Sequence, residues 1–74
     1  MVTPEGLETL VRAGWKGEIP TMDVLLKDEP WVMFVQVGKS WQVRNDKGQT
    51  GKGMTVADAA ADLWVVSHPR KEGQ

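Results

Sequence analysis

The chain has 74 residues, nine basic and ten acidic side chains, a net charge of −1, four tryptophans and no cysteine. It is expected to form a single small domain over residues 1–74, with an ordered core of about 3–66 and a frayed tail over 67–74. The missing cysteines exclude disulfides and thiolate metal sites as reinforcement, and the near-neutral charge argues against a dedicated nucleic-acid binder, whose affinity draws on a basic excess. No apolar run approaches the ~18 residues of a membrane span and no signal-peptide pattern opens the chain, so a soluble cytoplasmic protein is expected.

The first element is a helix from Pro4 to about Ala13. Thr3 is placed to cap it, Pro4 suits the first helical position, and Glu5 complements the helix dipole. Leu7, Leu10 and Val11 share one face, Glu8 and Arg12 form an i,i+4 pair, and Gly6 weakens the start. Gly14 is the stop, with Trp15 folding back on the last turn. After a connector over 16–20, Met22 to Lys27 partly alternates and reads as a strand, which Asp28-Glu29-Pro30 breaks. Trp31–Val37 and Trp41–Asn45 then read as a hairpin. The run NDKGQTGKG (45–53) is either an irregular loop or a turn at Asp46–Gly48 leading into a short fourth strand. Thr55 caps a last helix from Val56, and Asp58 stands three residues after the cap as a near-capping box. Val56, Ala59, Ala60 and Leu63 form its apolar face, with Ala57, Ala60 and Trp64 on an adjoining stripe, and Pro69 ends it. The expected fold class is therefore α+β, a two-layer helix, three or four antiparallel strands, helix arrangement with both helices on one sheet face.

The hairpin WVMFVQVGKSWQV (31–43) has two registers. A two-residue Gly38-Lys39 turn suits type II′ and leaves Trp31, Met33, Val35 and Val37 on the face opposite Val32, Phe34, Trp41 and Val43. A three-residue Gly38-Lys39-Ser40 loop gathers Trp31, Met33, Val35, Val37, Trp41 and Val43 together and turns only Val32 and Phe34 away. A one-residue slip exchanges the faces. Burial of large apolar side chains outweighs turn preference at ~1.5–3 kcal/mol each, so the three-residue loop, with Val32 and Phe34 outside, is the favoured expectation. In either register some apolar side chains remain on the side that the helices leave open, for a covering loop or for a partner.

Catalytic chemistry has no constellation to rest on. The acidic residues are scattered, Asp58 and Asp62 read as a solvated helix face, and His68 is a lone histidine near the tail. GQTGKGMT (48–55) ends at a helix N-terminus but lacks the Gly-Lys-Ser/Thr close of a P-loop, so a turn followed by a cap is expected rather than a phosphate cradle. The chain is expected to be no enzyme and to need no metal or cofactor.

Two stretches carry a family likeness. TPEGLETLVRAGW (3–15) and GKGMTVADAAADL (51–63) resemble the first helix and the glycine turn with alanine-rich second helix of the double-stranded-RNA-binding domain. That resemblance implies a helix, strands, helix layout over most of the chain. The lysines that grip phosphate in that family are replaced here by Val56, Ala57 and Ala60, and Asp58 adds an opposing charge, so the resemblance implies a fold whose RNA surface is weakened. GMTVADAAADL (53–63) after a hairpin is also similar to HicB-like antitoxin domains, which implies binding of a protein partner and self-association. The functional expectation is a small protein-binding module of inhibitor, adaptor or antitoxin type, as found among phage and mobile elements, contacting a protein partner or a second copy through Val32, Phe34, Gln42, Arg44 and Trp64. The alternative is nucleic-acid binding through Lys39, Arg44, Lys47 and Lys52.

Overall fold

The computed structural model describes residues 2–68, and the part of the expected tail from 69 to 74 lies outside them. The elements run α1 (Pro4–Arg12), α2 (Met22–Leu25), β1 (Val32–Val37), β2 (Ser40–Asn45), β3 (Thr50–Gly53) and α3 (Val56–Ser67). The three strands form one antiparallel sheet in the order β1-β2-β3, and α3 packs on it, so the α+β class stands. Among the described residues no helix is long and apolar enough to cross a membrane.

Each long helix is bounded by the chemistry its sequence carries. The Thr3 hydroxyl accepts from the Gly6 N–H at 3.2 Å and Pro4 occupies the first turn. At the other end Gly14 adopts φ 108°, so that the Trp15 N–H reaches the Leu10 carbonyl at 2.9 Å and the Gly14 N–H reaches Val11 at 3.0 Å. This is a Schellman closure, and it directs Trp15 back toward the core. The Trp15 ring meets Trp64 of α3 edge-on, 5.4 Å between centroids. Trp64 in turn stacks on His68 at 4.4 Å, and the His68 N–H donates to the Trp64 carbonyl.

The strand expected at Met22–Lys27 is instead the short helix α2. The Thr21 hydroxyl accepts from the Val24 N–H at 3.4 Å, and Met22, Leu25 and Leu26 fall at i, i+3, i+4. That spacing puts all three against the other helices' cluster, with Leu25 fully buried. The missing strand is made up by the second of the two readings of 45–53, a turn leading into β3. Buried Asn45 builds that turn: its Oδ1 accepts from the Lys47 and Gln49 N–H groups at 3.0 and 2.9 Å, while its Nδ2 donates to Gln49 at 2.8 Å and to Glu29 at 3.3 Å.

The core is organised around α3. On one side Ala59 and Leu63 meet Val43, with Val32, Phe34 and Trp41 packed around them. On the other, Ala57, Ala60 and Ala61 meet Val2, Leu10 and Leu25. The sheet-side contact is unusually close because β3 is nearly bare. A methyl group on Gly51 would lie 2.3 Å from the Leu63 amide nitrogen and 2.4 Å from the Ala59 carbonyl oxygen, and one on Gly53 would lie 2.5 Å from the Ala59 nitrogen. Gly6 does the same for α1, since a methyl there would meet Asp58 Oδ1 at 2.5 Å.

Asp58 and Asp62, expected on a solvated face, are both engaged. Thr55 caps α3 by accepting from the Asp58 N–H at 3.0 Å, but the Asp58 carboxylate does not complete the capping box. It turns to the N-terminal segment and accepts from the Thr3 N–H at 2.9 Å. One turn later the Asp62 carboxylate accepts from the Lys52 N–H at 2.8 Å, occupying a donor on the outer edge of β3. Neither direction follows from helical spacing alone, because both partners come from other elements.

Gly51→Ala is expected to cost about 3 kcal/mol or more, since the clash is with helix backbone that cannot swing away. Gly48→Ala, at φ 80° in open space, is expected to cost only about 1 kcal/mol of backbone strain. Urea denaturation of the two variants measures the contrast. Asp58→Ala is expected to lose about 1–2 kcal/mol by leaving the Thr3 N–H without its acceptor, and Asp58→Asn, which keeps an acceptor oxygen, less than half of that, measured the same way.

Candidate functional site: the open face of the sheet

The hairpin register assigns the faces. Val37 pairs with Ser40, Val35 with Gln42, Phe34 with Val43 and Val32 with Asn45, so the connection is the two-residue Gly38-Lys39 turn. Gly38 has φ 61° and no other residue type in the described chain has positive φ, the pattern of type II′. The favoured expectation of a three-residue loop is therefore overturned. Segregation favours the longer loop only if the helices cover the most apolar set of strand residues. They cover the other set, and the turn determines which set that is.

The consequence for the expected partner residues is direct. Val32 and Phe34 do not face outward; they pack toward Val43 and Leu63 beneath α3. Gln42 and Arg44 do lie on the open face, paired with Val35 and Met33 on one side and with Lys52 and Thr50 on the other. Trp64 is part of the helix-side cluster with Trp15 and is not near this face. The residues missing from the expected set are Met33, Val35 and Val37, with Trp31 one residue ahead of the strand and in phase with them. Their side chains remain between 43% and 50% exposed, and Met54, beyond the end of β3, is more exposed still. A glycine at the first position of a two-residue turn was the signal that identifies them.

Between the apolar row and the polar row lies a shallow depression lined by Met33, Val35, Gln42, Arg44 and Thr50. It continues toward Val37, Ser40, Lys52 and Met54, where the Ser40 hydroxyl donates to the Met54 sulfur at 3.6 Å. None of the three strands contains an acidic residue. The only charges on them are Arg44 and Lys52, both exposed. The face is thus apolar along β1, polar along β2, and positively charged where β2 meets β3.

The four cations of the nucleic-acid alternative do not converge. Arg44 and Lys52 share the open face, but Lys39 stands in the β1–β2 turn and Lys47 in the β2–β3 turn, at opposite ends of β2. A six-residue strand separates those ends by roughly 17–20 Å. An apolar notch lined by Ile19, Pro20, Thr21, Met22 and Ala57 lies on the helix side and holds no titratable group. Among the described residues no group of three or more His, Cys, Asp or Glu side chains is placed to hold a metal, and no buried side-chain polar atom lacks a partner. Comparison of the chain with family models, curated proteins and solved structures gave no match.

Proposed function

We propose that the chain is a small, non-enzymatic protein-binding module that modulates a partner protein by seating part of it on the open sheet face. The observation that carries this reading is the row Trp31, Met33, Val35 and Val37, four large apolar side chains left about half exposed on the uncovered side of a three-stranded sheet. Single exposed apolar residues are ordinary on a protein surface, but a contiguous row rimmed by polar groups marks a contact site. Arg44 and Lys52 at its border, with no carboxylate on any strand, suit a partner whose apolar contact is flanked by acidic side chains. An apolar patch beside arginine and tryptophan is also the composition that concentrates binding energy at protein interfaces.

A nucleic-acid reading draws only on Arg44 and Lys52, and two neighbouring cations neutralise too few phosphates to hold a duplex at physiological salt. The two readings separate experimentally. Met33→Ala and Val35→Ala are expected to lower stability by less than about 1 kcal/mol each, because these side chains lie outside the core. Val43→Ala, which empties a fully buried position, is expected to cost about 2–3 kcal/mol. Affinity capture from extract of the native host should recover a protein whose binding to purified chain falls at least about tenfold with either open-face variant and with Arg44→Glu. Undiminished binding by all three variants would refute this reading. A gel shift at low salt that is lost on raising the salt, with no protein captured, would replace it with the nucleic-acid alternative.

A further inference from the structure

The two edges of the sheet are treated differently. β3 is short, carries two glycines beneath α3 and has the Lys52 N–H occupied by Asp62. β1 has six residues paired with β2 in unbroken register, without a bulge, a proline or a charged side chain. Charges, prolines, bulges and short length are the usual protections of an exposed edge, and β1 has none of them. Its hydrogen-bonding pattern follows from the turn. Val37 and Ser40 close a two-residue hairpin and form a hydrogen-bonded pair, so Val35 and Met33 also bond to β2, and the N–H and C=O groups of Val32, Phe34 and Gln36 point outward. Among the described residues none of these outward groups bonds to another segment.

We infer that β1 pairs antiparallel with β1 of a second copy of this chain, with the two-fold axis at Phe34. In that register Val32 of each copy faces Gln36 of the other and the two Phe34 residues face each other. All three pairs use outward groups, each exchanging two hydrogen bonds. On the open face Met33 then lies opposite Val35 of the second copy, and Val37 opposite Trp31, so every cross-strand neighbour there is apolar.

The ends of β1 also complement each other. Lys39 follows one end, and Asp28 and Glu29 precede the other, so antiparallel apposition brings opposite charges together at both ends of the interface. A parallel arrangement would set like against like. Helix α3 packs chiefly over β3 and β2 and reaches β1 only through Val32 and Phe34, from the face of the sheet rather than from its edge. The half-buried Phe34 side chains would fill the gap between the two helical layers. The pairing is isologous, as closed two-fold dimers require. It leaves the open face uncovered and extends its apolar row across both copies, so it holds or fails independently of the partner-binding reading.

Sedimentation across a concentration series should show a reversible monomer–dimer equilibrium. Gln36→Pro removes an outward N–H at an exposed position that makes no ladder bond to β2, a place where an edge strand accepts proline. With the fold checked by circular dichroism, it should raise the dimer dissociation constant by about tenfold or more. The register is read by cysteines introduced singly, since the chain has none of its own. A mixture of Met33→Cys and Val35→Cys chains should form an interchain disulfide under mild oxidation, because facing residues in a non-hydrogen-bonded pair have Cα atoms about 4.5 Å apart. Either variant alone should cross-link far less, its cysteines being diagonal neighbours at about 7–8 Å. A monomer at the highest soluble concentration would overturn the inference. So would a dimer indifferent to Gln36→Pro that shows no preference for the mixed cross-link.

Discussion

The structure depends on the contact between α3 and β3, where helix backbone rests directly on strand backbone. Gly51 and Gly53 have no side chains to hold the two elements apart, and Ala59 lies flush above them. A helix that approaches this closely can present alanines in both directions, to the sheet and to α1, and still exclude water. That is how a chain of 74 residues with only one phenylalanine and no tyrosine assembles a core. The arrangement relies on complementarity of shape more than on bulk, since most of the buried α3 side chains are single methyl groups. Dispersion at short range replaces the larger apolar areas that bigger domains bury.

The same closeness explains why one face of the sheet is left open. α3 spans β3 and β2 and covers Val43 completely while reaching β1 only through Val32 and Phe34. With α3 on the sheet and α1 and α2 packed against α3, nothing in the described chain returns over Met33, Val35 and Val37. Exposure on that face therefore follows from the layer order. It is an apolar surface that the fold produces and leaves uncovered, next to a strand edge that pairs on one side only.

Local chemistry was the most legible part of the sequence. Thr3, Pro4 and Gly14 bounded α1, Thr55 began α3, and Glu8–Arg12 formed the expected pair. Each of these depends on residues within a few positions of one another, where backbone hydrogen bonding dominates. The errors arose where local signals competed or where partners were distant. Met22–Leu25 satisfied a weak alternation and a helical spacing at once, and the Thr21 cap with Leu25 burial decided for helix. The hairpin register set turn geometry against segregation, and Gly38 decided. Glycines 51 and 53 left loop and strand both open, because their function, making room for a helix, is visible only once Ala59 and Leu63 lie above them. Asp58 and Asp62 looked solvated for the same reason: their acceptors serve N–H groups on α1's leading segment and on β3. Of the candidate site, Gln42 and Arg44 lie where the sequence placed them, while Val32 and Phe34 exchanged sides with Met33 and Val35.

The hydrogen bond from the Thr3 N–H to Asp58 joins positions 55 residues apart, and Val2, Gly6 and Trp15 meet α3 along the same seam. Everything from β1 to α3, by contrast, is a run of sequence neighbours that pair or pack in order. The molecule thus divides by contact order. The meander and α3 close through short loops, whereas docking α1 on α3 closes a loop that spans most of the chain and carries the larger entropy cost. The α1 seam is therefore where the most distant parts of the sequence are held together. Undocking α1 breaks the Asp58 clamp and the Trp15–Trp64 contact and exposes the alanine face of α3, while leaving intact the glycine contact and the open sheet face on the other side of that helix.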